Sequence, residues 1–368
     1  MAGSGGKRAV RWLMGWWTGA GGDRLEMLGL YAAFAAIYGI WGSTYLAIEV
    51  AIETIPPLFM IGLRCLVAGV VLYGLARARG APAPGREAWS GAVVVGGLLF
   101  LGGQGMVAWA EQRIESGAAA LLNATVPMFV VMLGWLGGTW AGRVRETRPD
   151  MVVLGGLGMG LLGVAFTVGA GPGGTDRVGS AVMLLASLSW AMGLRQASGA
   201  DPAWPIRRAG MQLVAGGVLL VVAAALAGEL SELEVAALTG RSLFALAYLV
   251  VFGSLVAFSA FVWLLGKVEA SRVASHAYVN PIVAVLLGVA IGGEAIGANT
   301  MIGGLLIVFA VGLMVRKREA RDDCAGVERR NAGRGLRGVL AVPRANGSQG
   351  GTGNAGQSRR VDSAPYQG

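Results

Sequence analysis

Cysteine is nearly absent from the 368-residue chain: Cys65 and Cys324 are the only two, too few for a disulfide scaffold. A single histidine, His276, leaves no Cys/His set to hold a metal. Charge is scarce as well. Asp, Glu, Lys and Arg together make up 14% of the residues, against about 25% in ordinary soluble domains. With the apolar residues gathered into long runs, that shortage excludes a water-soluble multidomain enzyme. It also excludes a disordered chain, which requires low hydrophobicity. Catalytic signatures are missing too. The glycine-rich stretch 96–105 lacks the G-K-[ST] of a nucleotide loop, and there is no H-E-x-x-H, no Ser/His/Asp set and no pair of intramembrane aspartates. Neither enzymatic activity nor a cofactor is expected, and no motif for nucleic acid is present.

What the chain does contain is apolar surface: 55% hydrophobic residues and a mean hydropathy of +0.61. A helix crossing a bilayer needs about 20 mostly apolar residues. Ten such runs are found, at 28–48, 58–76, 88–109, 117–138, 151–169, 178–197, 209–228, 243–264, 273–292 and 298–315. They do not alternate apolar and polar residues as barrel strands do. The expected fold is therefore an all-α membrane protein with ten transmembrane helices. Short connections make consecutive helices antiparallel. Residues 1–27, with Lys7, Arg8, Arg11 and Arg24 among Trp12, Trp16 and Trp17, read either as an interfacial segment or as a start codon placed ahead of a true first residue at Met27. No cleavage site follows the first run, so it is expected to remain as a span. Residues 317–368, rich in Arg, Gly, Asn and Ser, read as a disordered cytoplasmic tail.

Charge sets the orientation. With the amino terminus in the cytoplasm, only Arg113, Arg177 and Arg241 of the 30 basic residues fall outside and Arg64 falls within a span. The rest lie on the cytoplasmic side, as the positive-inside rule requires of ten spans with both termini inside. The net charge of +9 thus belongs to a face near anionic lipid.

The chain also repeats itself. Residues 113–138 align with 267–292 at a fixed offset of 154 without a gap, placing Trp109 on Trp263, Glu115 on Glu269, Pro127 on Pro281, and Gly134 and Gly138 on Gly288 and Gly292. Trp41-Gly42 weakly repeats as Trp190-Ala191. Five spans is an odd number, so the second copy enters the membrane from the opposite face. Two inverted five-helix repeats, 28–169 and 170–316, are expected, an arrangement found in many secondary transporters. A relic of duplication without function is the plainer reading.

Pro127 and Pro281 lie mid-span, where proline removes a helix hydrogen bond and frees a carbonyl four residues earlier. Such groups need a partner at membrane depth. With Asn123, Tyr278 and Asn280 close by, the kinks point to a central polar cavity, or else to bends repaired by neighbouring side chains. Arg64 is the one basic residue inside a span. It reads as an anion anchor or as a structural or snorkelling arginine, with Glu111 its best-placed partner by depth and Glu49 the second. His276 is a proton relay or an interfacial histidine. Glu294 is a gate residue or an interfacial acid, and Trp41 is a cavity wall. The G-x-x-x-G pairs at 134/138, 156/160 and 288/292 read as sites of close helix packing or of dimer contacts.

The segments IWGSTYLAIEVAIETIPPLFMIGLRCLVAG (40–69), GQGMVAWAEQRIESGAAALLNATVPMF (103–129), SLSWAMG (187–193) and YVNPIVAVLLGVAIGGE (278–294) resemble EamA-domain transporters of the drug/metabolite transporter superfamily. The resemblance covers about 28–316. It implies ten helices in two repeats and export of amino acids, metabolites or drugs across a bacterial inner membrane. Arg64, Pro127, Pro281 and Glu294 match the family pattern. Trp140 stands where many members carry a glutamate.

Two functions follow as expectations. One is a secondary transporter working by alternating access on a small-molecule substrate, bound by Trp41, Arg64, Glu111, Asn123, Tyr278 and Asn280. Proton coupling would run through His276 or Glu294, and homodimerisation is compatible with it. The other is a membrane scaffold or sensor that transports nothing and acts through its basic tail.

Overall fold

The computed structural model describes residues 23–136, 151–168, 175–197, 204–268, 273 and 276–313, and among these every regular element is helical. The segment before Asp23, Trp140 and the tail 317–368 lie outside the described residues.

The helices are α1 (Asp23–Ile52), α2 (Pro57–Ala78), α3 (Arg86–Ala110), α4 (Ser116–Asn123), α5 (Val126–Leu136), α6 (Met151–Val168), α7 (Arg177–Ala197), α8 (Pro205–Leu226), α9 (Glu229–Glu232), α10 (Gly240–Leu265), α11 (His276–Leu287) and α12 (Ala298–Leu313). Counting α4 with α5 as one span, eight are long and apolar enough to cross a bilayer among the described residues. Among the described residues, the ninth and tenth apolar runs form shorter helices. In the ninth, α11 carries Pro281 within it and runs into a π turn, Gly288–Gly292. Gly293, at φ 72°, then stops it, a conformation that suits a residue without Cβ.

Proline acts as its chemistry demands. Pro57 opens α2 at a first-turn position, where its missing N–H costs nothing. Pro127 does more than kink its span: the helix breaks at Ala124–Thr125, and Pro127 sits in the first turn of α5. The Thr125 hydroxyl donates to the Leu122 carbonyl at 2.7 Å, so a side chain repairs part of the break.

Two helices contain π segments, Gly97–Gly105 in α3 and Leu249–Phe258 in α10. Shifted by the 154-residue offset, the first falls on 251–259, almost on the second. A π turn widens the helix and often marks a functional position.

Helix packing rests on glycine. α2 lies against α8, where a Cβ on Gly69 would stand 2.6 Å from the Val214 nitrogen and one on Gly217 would stand 2.9 Å from the Leu66 nitrogen. Backbone therefore meets backbone, as small residues permit in membranes. α6 meets α12 in the same way through Gly163 and Gly303. α1 packs on α10 and α11, and α7 packs on α3, α4 and α5. Most of these glycines lie outside the three G-x-x-x-G pairs singled out from sequence.

Candidate functional site

Aromatic and polar side chains from α1, α2, α3, α4, α7, α10 and α11 enclose a cavity of about 50 Å³, room for a few water molecules. The π segments supply part of its wall. Phe100 and Gln104 come from the first, Ser254 and Phe258 from the second. At the 154-residue offset these are equivalent positions with their chemistry exchanged: Phe100 falls on Ser254 and Gln104 on Phe258. The two phenylalanines meet edge to face at 5.2 Å.

Arg64 is 5% exposed. Its Nε donates to Ser254 Oγ at 2.8 Å and its Nη1 to Gln104 Oε1 at 3.4 Å. Among the described residues no carboxylate stands within ion-pair distance of it. The pairing with Glu111 or Glu49 expected from depth is thus not formed; neutral oxygens on the two π segments hold the guanidinium instead. Gly253 makes room for it, since a Cβ there would lie 2.9 Å from Nη2. A buried arginine with only neutral partners retains its charge and several donors for an anionic group.

Trp41 also lines the cavity. Its ring nitrogen donates to the Gly253 carbonyl at 3.2 Å, a group on the π segment. Its ring meets Trp190 at 6.2 Å, Phe261 at 4.9 Å and His276 at 5.1 Å. His276 is buried and its Nδ1 lies 2.8 Å from the Val273 carbonyl. Asn123 donates to the Tyr45 hydroxyl at 2.6 Å and accepts from Ser187 at 3.1 Å. Asn280, with its amide nitrogen turned to donate, reaches the Tyr38 and His276 carbonyls at 3.2 and 3.1 Å. The His276 carbonyl, five residues before Pro281, is thereby satisfied.

Of the residues expected at the site, Trp41, Arg64, Asn123, His276, Asn280 and Pro281 line this cavity. Glu111 does not; it is buried at the end of α3, and neither carboxylate oxygen has a hydrogen-bond partner. The side chain of Tyr278 lies outside the described residues. Glu294 acts away from the cavity. It accepts from the Ser116 hydroxyl and, at 3.0 Å, from the Gly117 N–H, so it caps α4 from across the bundle. Glu229 does the same for α2, accepting from Leu58 N at 3.2 Å and Phe59 N at 2.8 Å. Each follows a glycine at positive φ, Gly228 at 85° and Gly293 at 72°. Glu229, Gln104 and Ser254 were not read from the sequence. The repeated Gly-Glu dipeptide after an apolar run is the signal that marks Glu229.

Comparison with known proteins now bears on this geometry. Residues 27–169 and 177–316 each match the EamA-like transporter family. The chain is 36% identical over 291 residues to the inner membrane transporter YedA of Escherichia coli strain K12, covering 78% of this chain and 91% of that one. It is 28% identical over 302 residues to the transporter YvbV of Bacillus subtilis, covering 80% and 94%. A crystal structure superposes with a TM-score of 0.55 at 19% identity, covering 77% of this chain and 95% of that one, and shares the fold.

Proposed function

The chain belongs to the EamA-like transporter family, and on that premise we propose that it exports a small solute with an anionic group and an apolar or aromatic body. The observation that carries this reading is Arg64, buried in the cavity wall without a carboxylate partner among the described residues, in a cavity also lined by aromatic rings. A solute carboxylate would take two of its free donors, and the rings of Trp41, Trp190 and Phe258 would cover the remainder.

Alternating access fits the packing. Ten spans in two inverted five-helix repeats would pair α2 with α8 and α6 with α12 across the repeat axis. The contacts of α1 with α10 and α11 would correspond to those of α7 with α3, α4 and α5. The equivalent π segments meeting at one cavity, and the two family matches in tandem, support this duplication. A site shared by both halves opens to one side when they rock one way and to the other when they rock back. The asymmetry of basic residues favours the bacterial inner membrane with both termini in the cytoplasm. Energy would come from gradients rather than from bond cleavage.

The test begins with a thermal-shift screen of small carboxylates and phosphates on the purified chain. Transport of the stabilising compounds is then measured in proteoliposomes. Arg64→Ala is expected to abolish transport while elution stays monodisperse, and Arg64→Lys to recover part of it. Undiminished transport by Arg64→Ala would overturn the anchoring role.

A further inference from the structure

Four carboxylates gather at the end of the bundle that the charge asymmetry turns outward, and they do not belong to the cavity. Glu49 lies beside Ser116 and Glu294, and one of its oxygens is buried without a hydrogen-bond partner. Both oxygens of Glu294 are engaged by the first turn of α4, through the Ser116 hydroxyl and the Gly117 N–H. The positive end of the helix dipole favours a negative charge there. Two carboxyl groups in such proximity do not both ionise without large cost. The first turn of α4 supplies donors to Glu294, whereas a buried Glu49 oxygen has none, so a proton placed on Glu49 relieves that cost. Next to them, burial and, behind it, the charge of Glu294 hold the Glu115 carboxyl above the usual carboxylate range, against a hydrogen bond with the Ala295 backbone.

A separate observation points to a ligand. Glu111 is 5% exposed, and its two oxygens have no hydrogen-bond partner. It lies within electrostatic reach of Glu49, Glu294, Arg64 and the Tyr45 hydroxyl. Arg113, the basic residue nearest in sequence, lies over the Trp109 ring at 4.9 Å. Among the described residues no lysine or arginine forms an ion pair with any of the four acids. An ionised carboxylate without donors is costly in such a place, whereas a protonated one is not.

We propose that Glu49, Glu294 and Glu111 form a proton-binding site, separate from the substrate cavity. Glu49, beside the Glu294 carboxylate, takes a proton from the outer solution, and the unpartnered Glu111 holds a second. The inference rests on the transporter reading for its consequence: a proton arriving at or leaving Glu49 changes the charge beside the Glu294 cap on α4, and with it the contact between the two halves. Inward proton movement would then open the outer mouth and couple to outward solute movement.

The experiment reads protonation rather than flux, so its failure is distinct from failure of the transporter reading. Infrared spectra of the full chain in lipid nanodiscs, recorded across a pH titration, show protonated carboxyls directly. At neutral pH the wild type is expected to show a carboxylic-acid band. Glu49→Gln and Glu111→Gln should each reduce it by about one carboxyl per chain. Glu49→Asp and Glu111→Asp should retain the band at a shifted frequency, which keeps the test open if either glutamine variant fails to fold. Absence of the band from the wild type overturns the proposal. So does full intensity in either glutamine variant, an unshifted band in the aspartate variants, or loss of the wild-type band on addition of sodium chloride at constant pH.

Discussion

Replacing Glu229 tests whether a carboxylate from one half of the chain holds a helix of the other. The side chain is 8% exposed and accepts from two successive N–H groups in the first turn of α2. Those donors have no partner within their own helix. A hydrogen bond to a charged group contributes about 1.5–3 kcal/mol net, and the helix dipole adds about 0.3–1 kcal/mol. Water entering the vacated space restores part of the loss. Glu229→Ala should thus cost about 2–4 kcal/mol. Glu229→Gln keeps one acceptor oxygen without the charge and should cost roughly half as much. At roughly 2–4 °C per kcal/mol for a chain of this size, alanine should lower the midpoint of heat-induced aggregation, read by fluorescence-detected gel filtration, by roughly 5–10 °C. Glu232→Ala, exposed on the same short helix, serves as the control and should match the wild type. A midpoint for Glu229→Ala within about 1 °C of the control would refute the capping argument.

Three further outcomes are expected. Gly253→Ala puts a Cβ 2.9 Å from Arg64 Nη2, which displaces the guanidinium from Ser254. It should weaken binding of the screened ligand about tenfold, by titration, with little change in thermal midpoint. Arg241→Ala removes a 3.3 Å contact with Glu53 whose partners are 64% and 40% exposed, and should shift stability by no more than about 0.5 kcal/mol. Deletion of residues 320–368 should leave proteoliposome flux intact; loss of function with an intact fold would favour a tail-driven scaffold.

Much of the fold was legible because lipid imposes a simple demand: long apolar runs must be helices. Ten runs were read; among the described residues each contains helix, and eight spans there are long and apolar enough to cross a bilayer. The residues of the cavity were legible where polarity stood out against an apolar run, as with Arg64, Asn123 and Asn280. Gln104 and Ser254 were missed because a lone neutral side chain beside glycine carries no charge cost that would flag it. The π segments were missed for another reason. An i→i+5 turn and an i→i+4 turn accept the same residues, and tertiary packing chooses between them. Glu111 lies within electrostatic reach of Arg64 but makes no direct ion pair with it, because depth along the bilayer does not fix the distance between side chains on different helices.

The two glutamate caps have a consequence for how the molecule moves. Glu229 and Glu294 accept from three backbone N–H groups and one hydroxyl on helices far away in sequence, so separating those helices strips four donors of their acceptors. Lipid offers no replacement, but solvent does. On the alternating-access reading, the end carrying these caps would part only as fast as water floods it, which would make hydration of the cleft an integral step of the stroke and leave a dry, parted intermediate out of reach.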